Sequence, residues 1–155
     1  MDFEARIKEL GLTLPPAPKP AGAYIPFTKF SNFLFLSGQI SRKSDGDIIT
    51  GKIGKDLTLE EAREAAIIAA LNALAVLRDS GELSQMKGVA RLTGYVQCSP
   101  EFYEISKVID SASNLFFDVF GEEGRHARSA VGMVSLPLNA AVELELTISL
   151  HEEQK

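Results

Sequence analysis

The residues best suited to chemistry lie in one basic loop and one acidic strand, both near the end of the chain. The loop reads Gly124-Arg125-His126-Ala127-Arg128 and directly precedes an apolar run. A planar guanidinium binds a carboxylate through two parallel hydrogen bonds, and partial desolvation at the mouth of a strand strengthens that pairing. The loop therefore predicts an anion site at Arg128, although a solvated basic turn would have the same spacing.

The acidic strand contains Glu143 and Glu145, which stand two residues apart in an alternating run and so share one strand face. A carboxylate held in a partly dry cleft has a raised pKa and can transfer protons near neutral pH. Two glutamates on a solvated sheet face would have no such role. The spacing alone leaves both interpretations open.

Other chemistries have no signature in the sequence. Motifs for zinc, for dinucleotides, for a P-loop and for a GxSxG nucleophile are absent, so we expect no metal and no cofactor. A net charge of -5 disfavours nucleic acid as a partner, and the single cysteine, Cys98, fits a reducing compartment. Without an apolar run of about 18 residues or a secretion signal, we expect a cytoplasmic protein that does not enter membranes.

Hydrophobic periodicity predicts the element order β-β-α-β-α-β-β after a short N-terminal helix. Thr58 and Glu61 form a capping box before an alanine-rich helix, and Ser99-Pro100 resembles the start of the next one, which Gly121 ends. The predicted strands span residues 23–28, 32–37, 89–98, 129–136 and 141–150, and the predicted helices span residues 2–11, 58–79 and 99–121. Residues 38–56 are predicted to be a polar surface loop.

These elements predict an α+β domain in which two helices cover one face of a mixed sheet. The uncovered face would carry a mixed polar set that suits a subunit interface: Arg91, Thr93, Tyr95, Glu143 and Glu145. We expect an N-terminal arm over residues 1–20, a single domain over 21–150 and a polar tail over 151–155. The proline-rich end of the arm is predicted to lie extended along the body or along a neighbouring subunit.

Several motifs in order resemble the Rid family of enamine/imine deaminases, also called the YjgF or endoribonuclease L-PSP family. The matching segments are Gly22-Ala23-Tyr24, Phe35-Leu36-Ser37-Gly38-Gln39-Ile40, Arg128-Ser129-Ala130-Val131, Leu136-Pro137 and Val142-Glu143-Leu144-Glu145. The resemblance covers about residues 20–150, and the longer arm and longer 41–56 loop are similar to those of a longer-chain subgroup. It implies a chorismate-mutase-like fold and a homotrimer with sites between subunits.

The resemblance also implies a cofactor-free hydrolase that converts small 2-imino acids to 2-keto acids and ammonia. In that case Arg128 binds the substrate carboxylate and Glu143 orients or deprotonates the attacking water. The remaining residues predicted to bind the substrate, through their side chains or their backbone, are Tyr24, Ser37, Gly38, Ala130 and Asp110.

Three positions depart from the sequence pattern of the deaminases in the Rid family. Ala130 stands where many members have cysteine, Asp110 where an asparagine is common and Ser113 where a tyrosine is common. These departures keep a second function open, a non-catalytic module that binds a small carboxylate in the same cleft. A third possible function is endoribonuclease activity with inhibition of translation, and the acidic net charge disfavours it.

Overall fold

The computed structural model describes residues 2–152, so Met1 and residues 153–155 of the predicted tail lie outside the described residues. The helices are α1 Phe3–Glu9, α2 Leu59–Asp79 and α3 Ile105–Phe120. The strands are β1 Phe27–Phe30, β2 Phe33–Ile40, β3 Met86–Gln97, β4 Ala127–Met133 and β5 Val142–Leu150. Short 3-10 helices lie at Leu83–Gln85, Gly121–Gly124 and Pro137–Asn139. None of the described helices is long and apolar enough to cross a membrane.

The five strands form one mixed sheet in the order β1-β2-β5-β3-β4. The β3–β4 pair is parallel, whereas β1–β2, β2–β5 and β3–β5 are antiparallel. The parallel pair requires a crossover, and α3 supplies it between β3 and β4. The predicted α+β fold with a mixed sheet and two helices on one face is confirmed.

The core lies between the sheet and the two long helices. Leu144, Leu146, Ile148 and Leu150 of β5 are all buried, as their alternation with polar residues predicts. Small residues bring the layers close together. Alanines of α2 are fully buried against the core, and a Cβ on Gly94 of β3 would lie only 2.5 Å from Cδ1 of Ile109 in α3.

The start of α2 has the predicted capping box. The Thr58 hydroxyl oxygen accepts a hydrogen bond from the Glu61 amide at 3.2 Å, and the Thr58 amide donates to the Glu61 carboxylate at 2.8 Å. These two bonds satisfy backbone amides that have no partner within the helix. Hydrogen bonds from Thr58 lower the pKa of Glu61.

The N-terminal arm packs on the body of its own chain. Phe3 meets Phe120 of α3 edge to face, with ring centroids 5.0 Å apart, and Arg6 Nε donates to the Asp118 carbonyl at 3.0 Å. Further along, Arg78 Nη2 of α2 donates to the Pro15 carbonyl at 3.3 Å. The proline run therefore crosses α2 and approaches the end of β2.

Two predicted element starts were wrong by four residues or more. The Ser99-Pro100 pair begins a turn in which the Phe102 amide donates to the Ser99 carbonyl at 3.1 Å, and α3 starts only at Ile105. The Ser99 amide donates at 2.9 Å to the carbonyl of Ile53, which is fully buried, so a tertiary contact competes with the helix start. The first strand begins at Phe27, because the chain before it is bent and its Ile25 carbonyl accepts a hydrogen bond from the Ser37 side chain.

The predicted polar loop at 38–56 is partly structured. Strand β2 continues to Ile40 through a bulge, and isolated bridges then join Arg42 to Ile48 and Ile53 to Cys98. Strand β3 begins three residues earlier than predicted, at Met86. Strand β4 spans Ala127–Met133 and not the predicted 129–136, because its parallel pairing ends where β3 ends, at Gln97 opposite Met133. Ile53 gives this segment an apolar contact with the core that its polar composition concealed.

Candidate functional site

A cleft of about 250 Å³ lies at the ends of β2 and β5, under the last part of the N-terminal arm. It brings together four of the predicted site residues: Tyr24, Ser37, Gly38 and Glu143. Tyr24 comes from the N-terminal arm. Ser37 and Gly38 lie in the bulged part of β2, and Glu143 lies at the start of β5.

Gly38 leaves the space that the Glu143 side chain occupies. The register between β2 and β5 shifts between Leu36 and Gln39, so Gly38 lies in a bulge. A Cβ built on Gly38 would overlap a carboxylate oxygen of Glu143 and would lie 3.1 Å from its Cδ. Any larger residue at this position would have to displace the carboxylate.

Burial and a like charge both act on Glu143. The pKa of Glu143 is raised mainly by desolvation on burial, and the negative charge of Glu145 raises it further. Glu145 accepts a hydrogen bond at 3.1 Å from the hydroxyl of Tyr95. Glu143 is therefore a half-buried carboxylate that holds a proton more readily than a solvated one, as a general base near neutral pH requires.

We expect Gly38→Ala to lower kcat for the reaction proposed below by about 100-fold, because a catalytic group displaced by about 1 Å loses that much. The bulge faces the cleft and not the core, so the variant should fold. Steady-state kinetics measure the fall in kcat, and circular dichroism with thermal melting measures whether the variant is folded. Full activity in a folded variant would mean that the position of the Glu143 carboxylate is unimportant.

Ser37 fastens the end of the arm to the sheet beside the cleft. Its hydroxyl donates to the Ile25 carbonyl at 2.6 Å, and its amide donates to the Pro26 carbonyl at 2.8 Å. Ser37 thus shapes the cleft through the backbone of residues 25–26. Tyr24 lies just before this attachment and its side chain is half exposed.

The predicted anion site lies elsewhere, at the edge strand β4. Arg128 Nη1 donates to the Asp110 carboxylate at 2.8 Å and to the Ser113 hydroxyl at 3.1 Å, both on α3. These are its only side-chain hydrogen bonds within residues 2–152, and they leave the edge formed by Nε and Nη2 available to another carboxylate. The neighbouring Arg125 is engaged by Glu122 and stacks on Phe117 at 4.7 Å.

His126 completes the network behind Arg128. Its Nδ1 lies 2.7 Å from the Gly124 carbonyl, which can only accept, so Nδ1 carries the proton. In the neutral ring Nε2 then accepts from the Ser113 hydroxyl at 2.9 Å, and the Ser113 oxygen accepts from Arg128. Desolvation by burial lowers the pKa of His126, the hydrogen bond to the Gly124 carbonyl acts in the opposite direction, and the charge of Arg128 contributes a smaller lowering.

Arg128 and Glu143 do not meet within one chain. Arg128 pairs in register with Leu92, which is itself opposite Leu146, so Glu143 lies three residues further along β5. The two positions are therefore two strands apart across the sheet and three residues apart along the strands, about 10 Å in each direction. The Arg128 guanidinium contacts α3, whereas Glu143 lies on the face that the helices leave open.

The remaining predicted residue, Ala130, lies on β4 opposite Gly94, two residues beyond Arg128. The residues that line the Glu143 cleft and were not predicted from the sequence include Lys19, Arg42, Asn72 and Leu138. Only Asn72 left a signal, because an amide inside an otherwise apolar helix segment must find hydrogen-bond partners. It also missed His126 as the partner of Ser113.

Comparison with known proteins agrees with this fold. The family model described as "YjgF/chorismate_mutase-like, putative endoribonuclease" matches residues 4–150. A protein of unknown function from Agrobacterium tumefaciens has a crystal structure that superposes with a TM-score of 0.88 at 44% identity, covering 96% of this chain and 92% of that one.

Two curated proteins are similar along most of their length. Protein TCP17 of Trypanosoma cruzi is 40% identical over 95% of this chain and 93% of its own. The 2-iminobutanoate/2-iminopropanoate deaminase of Dermatophagoides farinae is 30% identical over 86% of this chain and 91% of its own. With the five-stranded mixed sheet and the family match over residues 4–150, these similarities establish that the chain belongs to the YjgF/Rid family.

Proposed function

We propose that the protein hydrolyses small 2-imino acids to 2-keto acids and ammonia, at a site to which two copies of the chain contribute. The observation that carries the proposal is the half-buried Glu143 carboxylate, which lies above Gly38 in the cleft and has a raised pKa. The similarity to a protein named 2-iminobutanoate/2-iminopropanoate deaminase supports the choice of substrate class.

A second copy is needed because the carboxylate anchor and the base lie on opposite faces of one sheet. The open face offers a surface for such a copy. It carries exposed apolar side chains, namely Phe30, Phe33, Phe35 and Val131, beside the polar row that includes Tyr95 and Glu145. An exposed apolar patch of this kind is typical of an interaction surface. We propose the homotrimer of the family resemblance, with Arg128 of one copy facing Glu143 of another.

Arg128 has the geometry of a carboxylate anchor. Asp110 and Ser113 hold Nη1 from behind, which fixes the plane of the guanidinium while Nε and Nη2 remain available as a fork. The side chain is 24% exposed, so its interaction with a substrate carboxylate is only partly screened by water. In this arrangement Asp110 positions Arg128 and does not contact the substrate carboxylate, which would repel it.

Glu143 would activate the water. It accepts a proton from a water molecule whose oxygen forms a bond with the electrophilic imine carbon, giving a carbinolamine. The same carboxyl returns this proton to the nitrogen, which completes the carbinolamine. Glu143 then takes the hydroxyl proton of the carbinolamine and passes it to the amino nitrogen, the C–N bond breaks, ammonia leaves and the carbonyl of the 2-keto acid forms. The net reaction consumes one water for each imine and needs no oxidant, metal or cofactor.

The proposal is tested with imino acids generated in place. An amino-acid oxidase produces 2-iminopropanoate or 2-iminobutanoate in the presence of semicarbazide, which traps the imine as a semicarbazone. The wild-type protein should suppress semicarbazone formation in proportion to its concentration while the keto acid accumulates. Equal semicarbazone formation with and without the protein, for several imino acids, would refute the proposal.

One observation favours a second function, that of a non-catalytic carboxylate-binding module. Asp110 and Ser113, two positions that depart from the deaminase pattern, hold Arg128 in place as a carboxylate anchor, which serves binding without any catalytic step. A module of this kind would be stabilised by 2-keto acids without turning over imines. A ligand at 100 times its Kd adds about 2.7 kcal/mol to the free energy of unfolding, which thermal melting detects readily.

A further inference from the structure

The cleft beside Glu143 has a positively charged wall that the proposed reaction does not use. Lys19 of the arm and Arg42, just beyond β2, line the same cleft as Glu143. Neither forms an ion pair with a carboxylate within the part of the chain that the structure describes. Glu143 is the only acidic residue among those that line the cleft, so two cations face a single carboxylate.

The arm presents Lys19 at a defined place. Pro18 and Pro20 flank it, and their fixed φ angles keep this stretch extended. The arm is attached on both sides of the stretch, at the Pro15 carbonyl by Arg78 and at the Ile25 carbonyl by Ser37. Lys19 therefore stands on a backbone with few alternative conformations, although its own side chain is exposed.

A buried amide holds the backbone that carries Arg42. Asn72 of α2 is only 2% exposed, and its Nδ2 donates to the carbonyls of Ile40 at 3.1 Å and Arg42 at 2.9 Å. An amide buried in an apolar helix is costly unless it is hydrogen-bonded, so this contact fixes where β2 ends. The Arg42 side chain is steadied by its bond to the Gly46 carbonyl at 3.1 Å.

We propose that this cleft selects imino acids with a second carboxylate on their side chain, and that Lys19 and Arg42 bind this carboxylate. The inference rests on the proposed function and specifies its substrate class. The carboxylate next to the imine would bind Arg128 of the other copy, and the side-chain carboxylate would neutralise the positive wall. A cleft of about 250 Å³ is smaller than the sites of drug-sized ligands and suits an acid of four or five carbons.

The test compares an acidic with an apolar imine. Oxidases acting on L-aspartate or L-glutamate supply the imino diacids, and 2-iminobutanoate is the apolar comparator. Wild-type protein should have the higher kcat/KM for the diacid. Lys19→Gln and Arg42→Gln should each lower the ratio of diacid to apolar kcat/KM by about 10-fold or more, because a hydrogen bond to a charged group is lost.

Lys8→Gln is the matched control, since Lys8 is an exposed lysine of the same arm on α1 and lies outside the cleft. It should leave the ratio at the wild-type value. A wild-type preference for the apolar imine, or a ratio that Lys19→Gln leaves unchanged, would overturn the inference while imine hydrolysis stands.

Calorimetric binding of stable keto acids separates the two proposals. We expect 2-oxoglutarate to bind wild-type protein at least about 10-fold more tightly than 2-oxobutanoate, and Lys19→Gln to remove this difference. That result without hydrolysis of any imine would refute the proposed reaction and retain the diacid site. Equal affinities for the two keto acids would refute the diacid site, whether or not imines are hydrolysed.

Discussion

Replacing Glu143 with glutamine is expected to lower kcat for imine hydrolysis by about 100-fold to 10,000-fold, the usual contribution of a positioned general base. Glutamine has nearly the same shape, so it should occupy the space above Gly38 without disturbing the bulge. It cannot accept a proton from water, and KM should change little because substrate binding depends mainly on arginine. The semicarbazone competition with purified variant measures both constants.

The same substitution should stabilise the fold at neutral pH. The folded-state pKa of Glu143 is raised, first by burial and then by Glu145, so the folded protein binds this proton more tightly than the unfolded chain does. The contribution of this group to stability is complete below its unfolded pKa and is lost as pH rises through its folded pKa. Glu143→Gln removes the charge, so the melting temperature at pH 7 should rise by about 1–3 °C.

Melting curves at low pH provide the control for this stability effect. Below the ordinary glutamate pKa both proteins are uncharged at this position, so their melting temperatures should converge. A stabilisation that persists unchanged at low pH would come from packing and not from the charge. An active Glu143→Gln variant would remove Glu143 from the mechanism altogether.

Replacing Arg128 with alanine is expected to lower kcat/KM by about 100-fold or more, because a bidentate, charge-assisted contact with the substrate carboxylate is lost. Asp110 is 52% exposed and would regain water, so the fold should persist. Arg128→Lys should recover only part of the loss, since an ammonium is a point charge and cannot replace the planar fork.

Arg63→Ala is a suitable control for the Arg128 variants. Arg63 of α2 pairs with Glu60 at 2.7 Å and donates to the Lys107 carbonyl at 3.4 Å, and it lines neither the Glu143 cleft nor the pocket beside Arg128. It should retain wild-type kinetics. If Arg128→Ala hydrolysed imines as fast as the wild type, the carboxylate anchor would have to be a different residue.

Local sequence patterns predicted the elements whose causes are themselves local. The Thr58 capping box and the strict alternation of β5 depend on residues within a few positions, and both were confirmed. The predictions of a helix start at Ser99 and of a polar loop over 38–56 were wrong. Both regions depend on Ile53, which pairs with a distant part of the chain. Long-range contacts of this kind leave no periodicity in the sequence.

The candidate site also shows this difference between local patterns and long-range contacts. The sequence pointed to Glu143 and its glycine neighbour, and the structure places Gly38 beneath that carboxylate. It gave no indication that Lys19 would approach the same cleft, because the path of the arm depends on its contacts with α2, α3 and β2. The separation of Arg128 from Glu143 also depends on sheet order, which a single sequence does not specify.

Complementation between inactive subunits tests the central claim most directly. Arg128→Ala and Glu143→Gln proteins are unfolded, mixed in equal amounts and refolded, and imine hydrolysis is measured beside each variant refolded alone. If each site takes Arg128 from one copy and Glu143 from another, random assembly restores both groups in about a quarter of the sites, so about a quarter of wild-type turnover should return. A mixture as inactive as its components, beside refolded wild type that is active, would contradict a site shared between two copies.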